Sequence, residues 1–258
     1  MKMRPCIKCL FLLISSAEIF AKPPFSLFSM AALQENFGGA CKNEDPKAIG
    51  DQLETEIVSL FEDAASMPIS LTKDDGNIEV RTKFRGQHLL SMAEAKIIPN
   101  RQPDGFKGFL ENFNEAFAQV DPMVKEVRQL EKDTHREGVK AFLKFPYPVA
   151  DRMMVHFKYL RMNRNKDEHM LILSERGNQH LLDQHSDAEE TKKYVLGRVF
   201  LCAYWVRPVH DEQNKIIGSN IRYIFNGDVG GSMPKWVQSQ VGPKNALESL
   251  RGFIGYKK

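Results

Sequence analysis

The last thirty or so residues, Asn226 to Tyr256, constrain the fold of this chain more than any other stretch. The run NGDVGGSMPKWVQSQVGPKNALESLRGFIGY puts a glycine pair, Gly230 and Gly231, after a strand-like segment. Ser232 then has N-cap chemistry, and Pro234 in the first turn costs no hydrogen bond, because the earliest helix amides lack intrahelical partners. Met233, Trp236, Val237 and Val241 fall at i, i+3, i+4 and i+8. Ala246, Leu247, Leu250, Phe253 and Ile254 continue the stripe after Gly242-Pro243, a pair predicted to kink or break the rod. The polar face (Lys235, Gln238, Lys244, Glu248, Arg251) meets water, so the apolar face needs something broad to lie on, and a curved sheet would serve.

The rest of the chain has the composition to build such a partner. Its 258 residues are 42% hydrophobic and 27% charged, ordinary for a globular protein of one large or two small domains. No segment reaches the 18 apolar residues of a spanning helix. The formal net charge of +3 is carried wholly by residues 1–30, where Lys2, Arg4, Lys8 and Lys22 outweigh Glu18. The remainder is neutral, which removes the case for a nucleic-acid partner, because phosphate neutralisation needs clustered excess Lys and Arg.

Residues 1–30 read as a leader with two meanings. Basic residues before the apolar run Cys9–Ile14 and the small residues Ser15, Ser16 and Ala17 have the layout of a secretory signal peptide spanning residues 1–21. Met30-Ala31-Ala32 has the form of a cytosolic start, and no Asn-x-Ser/Thr acceptor follows anywhere, which favours the cytoplasm. Cys6 and Cys9 form a C-x-x-C without a second pair at metal-ligand spacing, so a structural zinc site is not expected. Cys41 and Cys202 read as unpaired thiols.

Residues 31–50 are polar and punctuated by Gly and Pro, a predicted linker; the folded domain is expected over 51–256. Leu53, Ile57, Leu60, Phe61 and Ala64 predict a helix over 51–65, stopped by Pro68. Period two follows: a strand over 69–73, the turn Asp75-Gly76, a second strand with Ile78, Val80, Thr82 and Phe84 on one face, and a third over 88–98. Residues 103–131 return to helical spacing in two stripes, Phe106, Phe109, Leu110, Phe113 and Phe117, then Met123, Val124, Val127 and Leu130. Five long strands are predicted over 138–145, 151–160, 169–175, 194–206 and 215–226, with turn-rich loops between them. Consecutive strands without intervening helices argue for an antiparallel sheet and an α+β class.

Two segments carry a resemblance. Lys144-Phe145-Pro146-Tyr147-Pro148-Val149-Ala150-Asp151-Arg152, followed by an alternating strand, resembles the "KYPFP...NRD" segment of START domains, the lipid-transfer family named after the steroidogenic acute regulatory protein. Residues 227–237 are similar to that family's "D-x-G-G-x-x-P-x-W" lead-in to its C-terminal helix, matched here at Asp228, Gly230, Gly231, Pro234 and Trp236. In the first motif the matching positions include Pro146, Pro148, Asp151 and Arg152. The resemblance covers about residues 50–256 and implies a helix-grip fold: an incomplete antiparallel barrel wrapped around a long C-terminal helix, with a tunnel between them for one phospholipid or sterol. It implies no cofactor, no metal and no catalysis, transient contact with a membrane surface, and a monomer.

The head-group positions depart from the phosphatidylcholine-transfer members that the motifs otherwise match best. Tyr204 matches one position of their choline cage, but Ala141 and Met154 stand at the other two and Phe117 stands where an Arg would hold the phosphate. Sterol-binding members place a basic residue six positions after the motif Arg, and Lys158 lies there. If Arg152, Met154, His156 and Lys158 form the inward row, the tunnel has a cationic end suited to an anionic lipid or a sterol hydroxyl; if Val155, Phe157 and Tyr159 do, His156 and Lys158 face solvent. The same choice separates Tyr204 from Trp205. The tunnel candidates are therefore Met154, His156, Lys158, Tyr204, Met233, Trp236, Val237, Val241 and Leu247. Arg152 beside Asp151 reads as an ion pair at a strand start, and Trp236 as a core residue or an interfacial anchor.

Two other classes remain. A lipid-sensing interaction module would share every feature above, with Lys158, Arg161, Arg164 and Lys166 as a basic membrane-facing run. An enzyme of the broader fold class is the weaker reading: His180, Asp183, His185 and Asp187 lie in a predicted loop without ligand spacing, and no Gly-rich phosphate loop, G-x-S-x-G or H-E-x-x-H appears.

Overall fold

Asp45 and Pro46 start the first helix earlier than hydrophobic spacing alone predicts. The Asp45 side chain accepts from the Lys47 amide and Pro46 occupies the first turn, so α1 runs Pro46–Asp63 and takes in the end of the expected linker. In this computed structural model the described residues are 45–256, apart from 75, 122, 146–149, 164, 186 and 231–234. The leader and the linker up to residue 44 lie outside them.

Three antiparallel strands follow, β1 (Ile69–Lys73), β2 (Ile78–Arg85) and β3 (His88–Pro99), as the alternation predicts. A 3-10 turn at Pro103–Phe106 leads into two short helices, α2 (Lys107–Glu111) and α3 (Phe113–Val120). The second helical stripe is not helix but strand: Val124–Lys132 is β4, paired with β5 (Glu137–Leu143). The register of that pair shifts between Val124 and Glu126 and again between Gln129 and Glu131. One extra residue turns the two-residue spacing of a strand into three, so Val124 and Val127 oppose Leu143 and Ala141 and imitate a helical turn in the sequence.

The remaining strands are β6 (Arg152–Asn163), β7 (Glu168–Ser174), β8 (Val195–His210) and β9 (Ile216–Asp228). The loop predicted between β7 and β8 contains two short helices, α4 (Gln179–His185) and α5 (Ala188–Lys193). The nine strands of the described residues form one sheet in the order β1-β2-β3-β9-β8-β7-β6-β5-β4, antiparallel at every neighbouring pair. A short additional parallel pairing, Arg152 to Met154 of β6 with Val195 to Gly197 of β8, draws the sheet in on itself.

Both faces of the sheet are covered. On the outer face Ile49, Leu53, Ile57 and Phe61 of α1 pack with Val155, Phe157, Tyr159, Trp205 and Ile224. The inner face holds α2, α3 and the closing helix α6 (Lys235–Gly255), whose Ala246, Leu247, Leu250 and Phe253 are buried against it. The break expected at Gly242-Pro243 is absent, since α6 continues through Pro243. Gly242 has a packing reason instead. A Cβ there would lie 2.3 Å from Leu89 Cδ2 and 3.0 Å from Ser91 Oγ, so a larger residue would have to displace these β3 side chains. No helix among the described residues is long and apolar enough to cross a membrane.

Candidate functional site

The register of β5 on β6 assembles one polar centre on the inner face. Glu137 opposes Lys158, Val139 opposes His156 and Ala141 opposes Met154, and directly opposed residues share a face. Met154 packs with Leu171, Leu173, Tyr204 and Leu247 in the inner core, which fixes Met154, His156 and Lys158 as the inward row. Val155, Phe157 and Tyr159 point outward beneath α1. Tyr204 is inward by the same alternation and Trp205 outward, against Phe61.

Lys158 does not make a free cationic end. Its Nζ lies 2.7 Å from Glu137 Oε2 with both side chains buried, and Asn114 of α3 donates to Glu137 Oε1 at 2.5 Å. The charges cancel, which corrects the expectation of a site suited to an anionic head group. Two positions along β6, His156 is 3% exposed and, among the described residues, neither ring nitrogen has a hydrogen-bond partner. Burial pushes its pKa down to about 4, and the neighbouring Lys158 charge adds to the effect, so the imidazole is neutral at neutral pH. Asn114 Oδ1 is likewise buried and unpartnered. The result is a net-neutral polar centre on the inner face.

Beside this centre the interior is filled with rings. Tyr204 lies 5.5 Å from Phe109, 5.0 Å from Phe253 and 4.9 Å from Tyr223, centroid to centroid, so this end is packed rather than an open tunnel. Burial holds the Tyr204 and Tyr223 hydroxyls well above the usual tyrosine range, an effect that the Ser249 hydroxyl of α6 opposes. Burial pushes the Cys202 thiol up to about 12, leaving it protonated and inert.

At the level of sequence, no protein-family model matches the chain, and a search of curated proteins returns no significant match. Solved structures do match. Human StAR-related lipid transfer protein 5 is 11% identical over 81% of this chain and 94% of that one, with a TM-score of 0.63. Human STARD10 is 12% identical over 79% and 80% respectively, with a TM-score of 0.59. The fold is the START fold. A third match, the lipid transfer and protein localization domain of human StarD13, is 16% identical over 78% of this chain and 96% of that domain, with a TM-score of 0.55.

Within this START fold the two resembling motifs meet. Asp228 Oδ1 accepts from the Gly230 amide at 2.9 Å, and Gly230 adopts φ +76°. Arg152 donates Nε to the Val229 carbonyl at 2.6 Å and Nη2 to the Gly230 carbonyl at 3.3 Å, with a further bond to the Ala150 carbonyl. The expected Arg152–Asp151 ion pair is not formed: Asp151 instead pairs with Lys125 at 2.5 Å and accepts from the Phe145 amide at 3.1 Å. These residues hold the start of β6 to the turn before α6 and do not line the interior polar centre. Pro146, Pro148, Gly231 and Pro234 lie outside the described residues.

Of the α6 candidates, Leu247 is buried on the inner face. Trp236 is 54% exposed and Val241 40% exposed, so neither lines an interior space nor belongs to the core, contrary to their place on the stripe. A stripe read at helical spacing assumes one apolar partner surface along the whole helix, whereas the buried apolar side chains described on α6, Ala246, Leu247, Leu250 and Phe253, all lie in its second half. Met233 and the side chain of Val237 are outside the described set. Glu137 and Asn114 escaped sequence reading because each acts across the fold. A hairpin register placing residue 137 opposite 158 would have revealed Glu137, but the long segment between the strands hides it.

The acidic histidine segment forms helix rather than a ligand cluster. His180 Nε2 lies 3.1 Å from Glu131 Oε1 and Asp183 accepts from Gln179 at 2.8 Å. No group of His, Cys, Asp or Glu converges as metal ligands do among the described residues.

Proposed function

We propose that this protein binds a single lipid between its sheet and α6 and carries it between membranes without catalysing a reaction. The observation that supports this most is a largely apolar inner face that holds a neutral polar centre, Glu137, Lys158, Asn114 and His156, in a START fold. The START-fold neighbours include proteins named for lipid transfer. Each CH₂ leaving water contributes about 0.8 kcal/mol, so an apolar interior competes with a bilayer for an acyl chain or sterol body, and the polar centre receives the head. Because rings around Tyr204 fill the space, the ligand must displace α6, whose Leu247, Leu250 and Phe253 make the contacts it would replace. Exposed Trp236 and Val241, with Lys235 and Lys244 beside them, form the proposed contact with the membrane surface. The protein acts as a monomer in the cytoplasm on this reading; a cleaved leader over residues 1–21 would place it in the secretory pathway instead.

The packed interior favours a second reading, a lipid-responsive interaction module that keeps the fold without moving lipid freely. Native mass spectrometry of the full chain after exposure to a mixed membrane extract separates these. A stoichiometric lipid adduct, exchanged into acceptor vesicles, supports carriage; an adduct that does not exchange supports the module; no adduct on folded protein sinks both.

A further inference from the structure

We infer that His156 anchors the ligand, and that the ligand is a neutral lipid bearing a free hydroxyl. This rests on the lipid-binding reading and narrows it. The other polar groups of the centre largely satisfy one another: Lys158 holds Glu137, and Asn114 donates to the same carboxylate. His156 has both ring nitrogens unpaired and buried, on the face that also carries Met154 and Leu173. Leaving a polar group buried and unpaired costs roughly 1–3 kcal/mol, and a partner entering with a ligand removes that cost.

The chemistry of the centre decides the class of partner. A neutral imidazole presents one N–H and one bare nitrogen. A phosphate would bring uncompensated charge into a centre where Lys158 is already neutralised, and burying an unpaired ion is costly. An ester carbonyl only accepts, and serves one tautomer. A hydroxyl that accepts from the ring N–H still has its own proton to donate, which is a second role. That role falls to Asn114 Oδ1, also unpaired, whose partner Glu137 is the diagonal cross-strand neighbour of His156, about 7–8 Å away by sheet geometry.

The test uses the full chain and matched probes: a sterol, a diacylglycerol and a ceramide, each with its hydroxyl free and as the methyl ether, alongside phosphatidylcholine and phosphatidylglycerol, all offered from vesicles. At least one free-hydroxyl probe should bind about tenfold or more tightly than its ether. His156→Phe should bring the two to equal affinity while still binding the ether, and His156→Gln, which keeps a donor and an acceptor, should restore part of the preference. Equal binding of hydroxyl and ether by the unaltered protein, a preference for either phospholipid, or an unchanged preference in His156→Phe overturns the inference and leaves lipid binding standing. Binding of no probe by folded protein overturns the lipid reading itself.

Discussion

Arg152, at the start of β6, donates its Nε–H to the main-chain carbonyl of Val229, 2.6 Å away in the turn that leads into α6. A second bond reaches Gly230, so the side chain joins the two segments whose sequences stood out and fixes where the closing helix leaves the sheet. The guanidinium is buried, and its charge is balanced by Asp228 and Asp151 without direct contact. Replacing it by methionine removes bonds from a charged donor to carbonyls that then lie unpaired. Arg152→Met is expected to cost about 3 kcal/mol in urea unfolding and to speed amide exchange in α6 more than in α1.

The Glu137–Lys158 pair predicts a non-additive pair of variants. Lys158→Met leaves a buried carboxylate with only Asn114 as partner and should cost about 3–5 kcal/mol. Glu137→Leu combined with Lys158→Met removes both charges and should recover most of that loss. A double variant as unstable as the sum of its singles would show that the pair is not coupled in the way the 2.7 Å contact requires.

His156 predicts a specific acid sensitivity. Its pKa is near 6.5 in an unfolded chain and is pushed down to about 4 in the folded protein by burial and then by Lys158. Between those values the unfolded chain binds a proton that the native state refuses, so stability falls as pH drops from about 6.5 to about 4. The loss should reach about 2 kcal/mol at pH 5 relative to pH 7. Urea midpoints at both values should show this drop in the unaltered chain and a smaller one in His156→Phe.

Trp236 offers a test of the membrane contact. A side chain 54% exposed contributes little to folding, so Trp236→Ala should change stability by no more than about 0.5 kcal/mol, against the 3–5 kcal/mol of a core tryptophan. The same variant should bind vesicles more weakly in a flotation assay. A large loss of stability would return Trp236 to the core.

Gly230 is required twice over. Its φ of +76° disfavours any side chain, and a Cβ there would lie 2.4 Å from the Leu196 carbonyl oxygen. Gly230→Ala should destabilise by about 2 kcal/mol or more in thermal or urea unfolding.

Sequence by itself determined the α+β class, the antiparallel sheet and the one-sided closing helix, because alternation and helical spacing are local signals. It also singled out Asp151, Arg152, Asp228 and Gly230, whose turn and motif chemistry is written in adjacent residues. Tertiary structure alone decided the rest. The inward row of β6 was ambiguous because α1 covers one face of the sheet and α2, α3 and α6 the other, so Arg152 to Tyr159 are all buried and period two disappears. Bulges disguised β4 as helix. Lys158 was legible as a cation but its neutralisation by Glu137 was not, since that partner is brought opposite only by strand register. Trp236 sits on the apolar stripe yet faces water, because a stripe records what a helix can bury and only the packed fold records how much of it meets a partner.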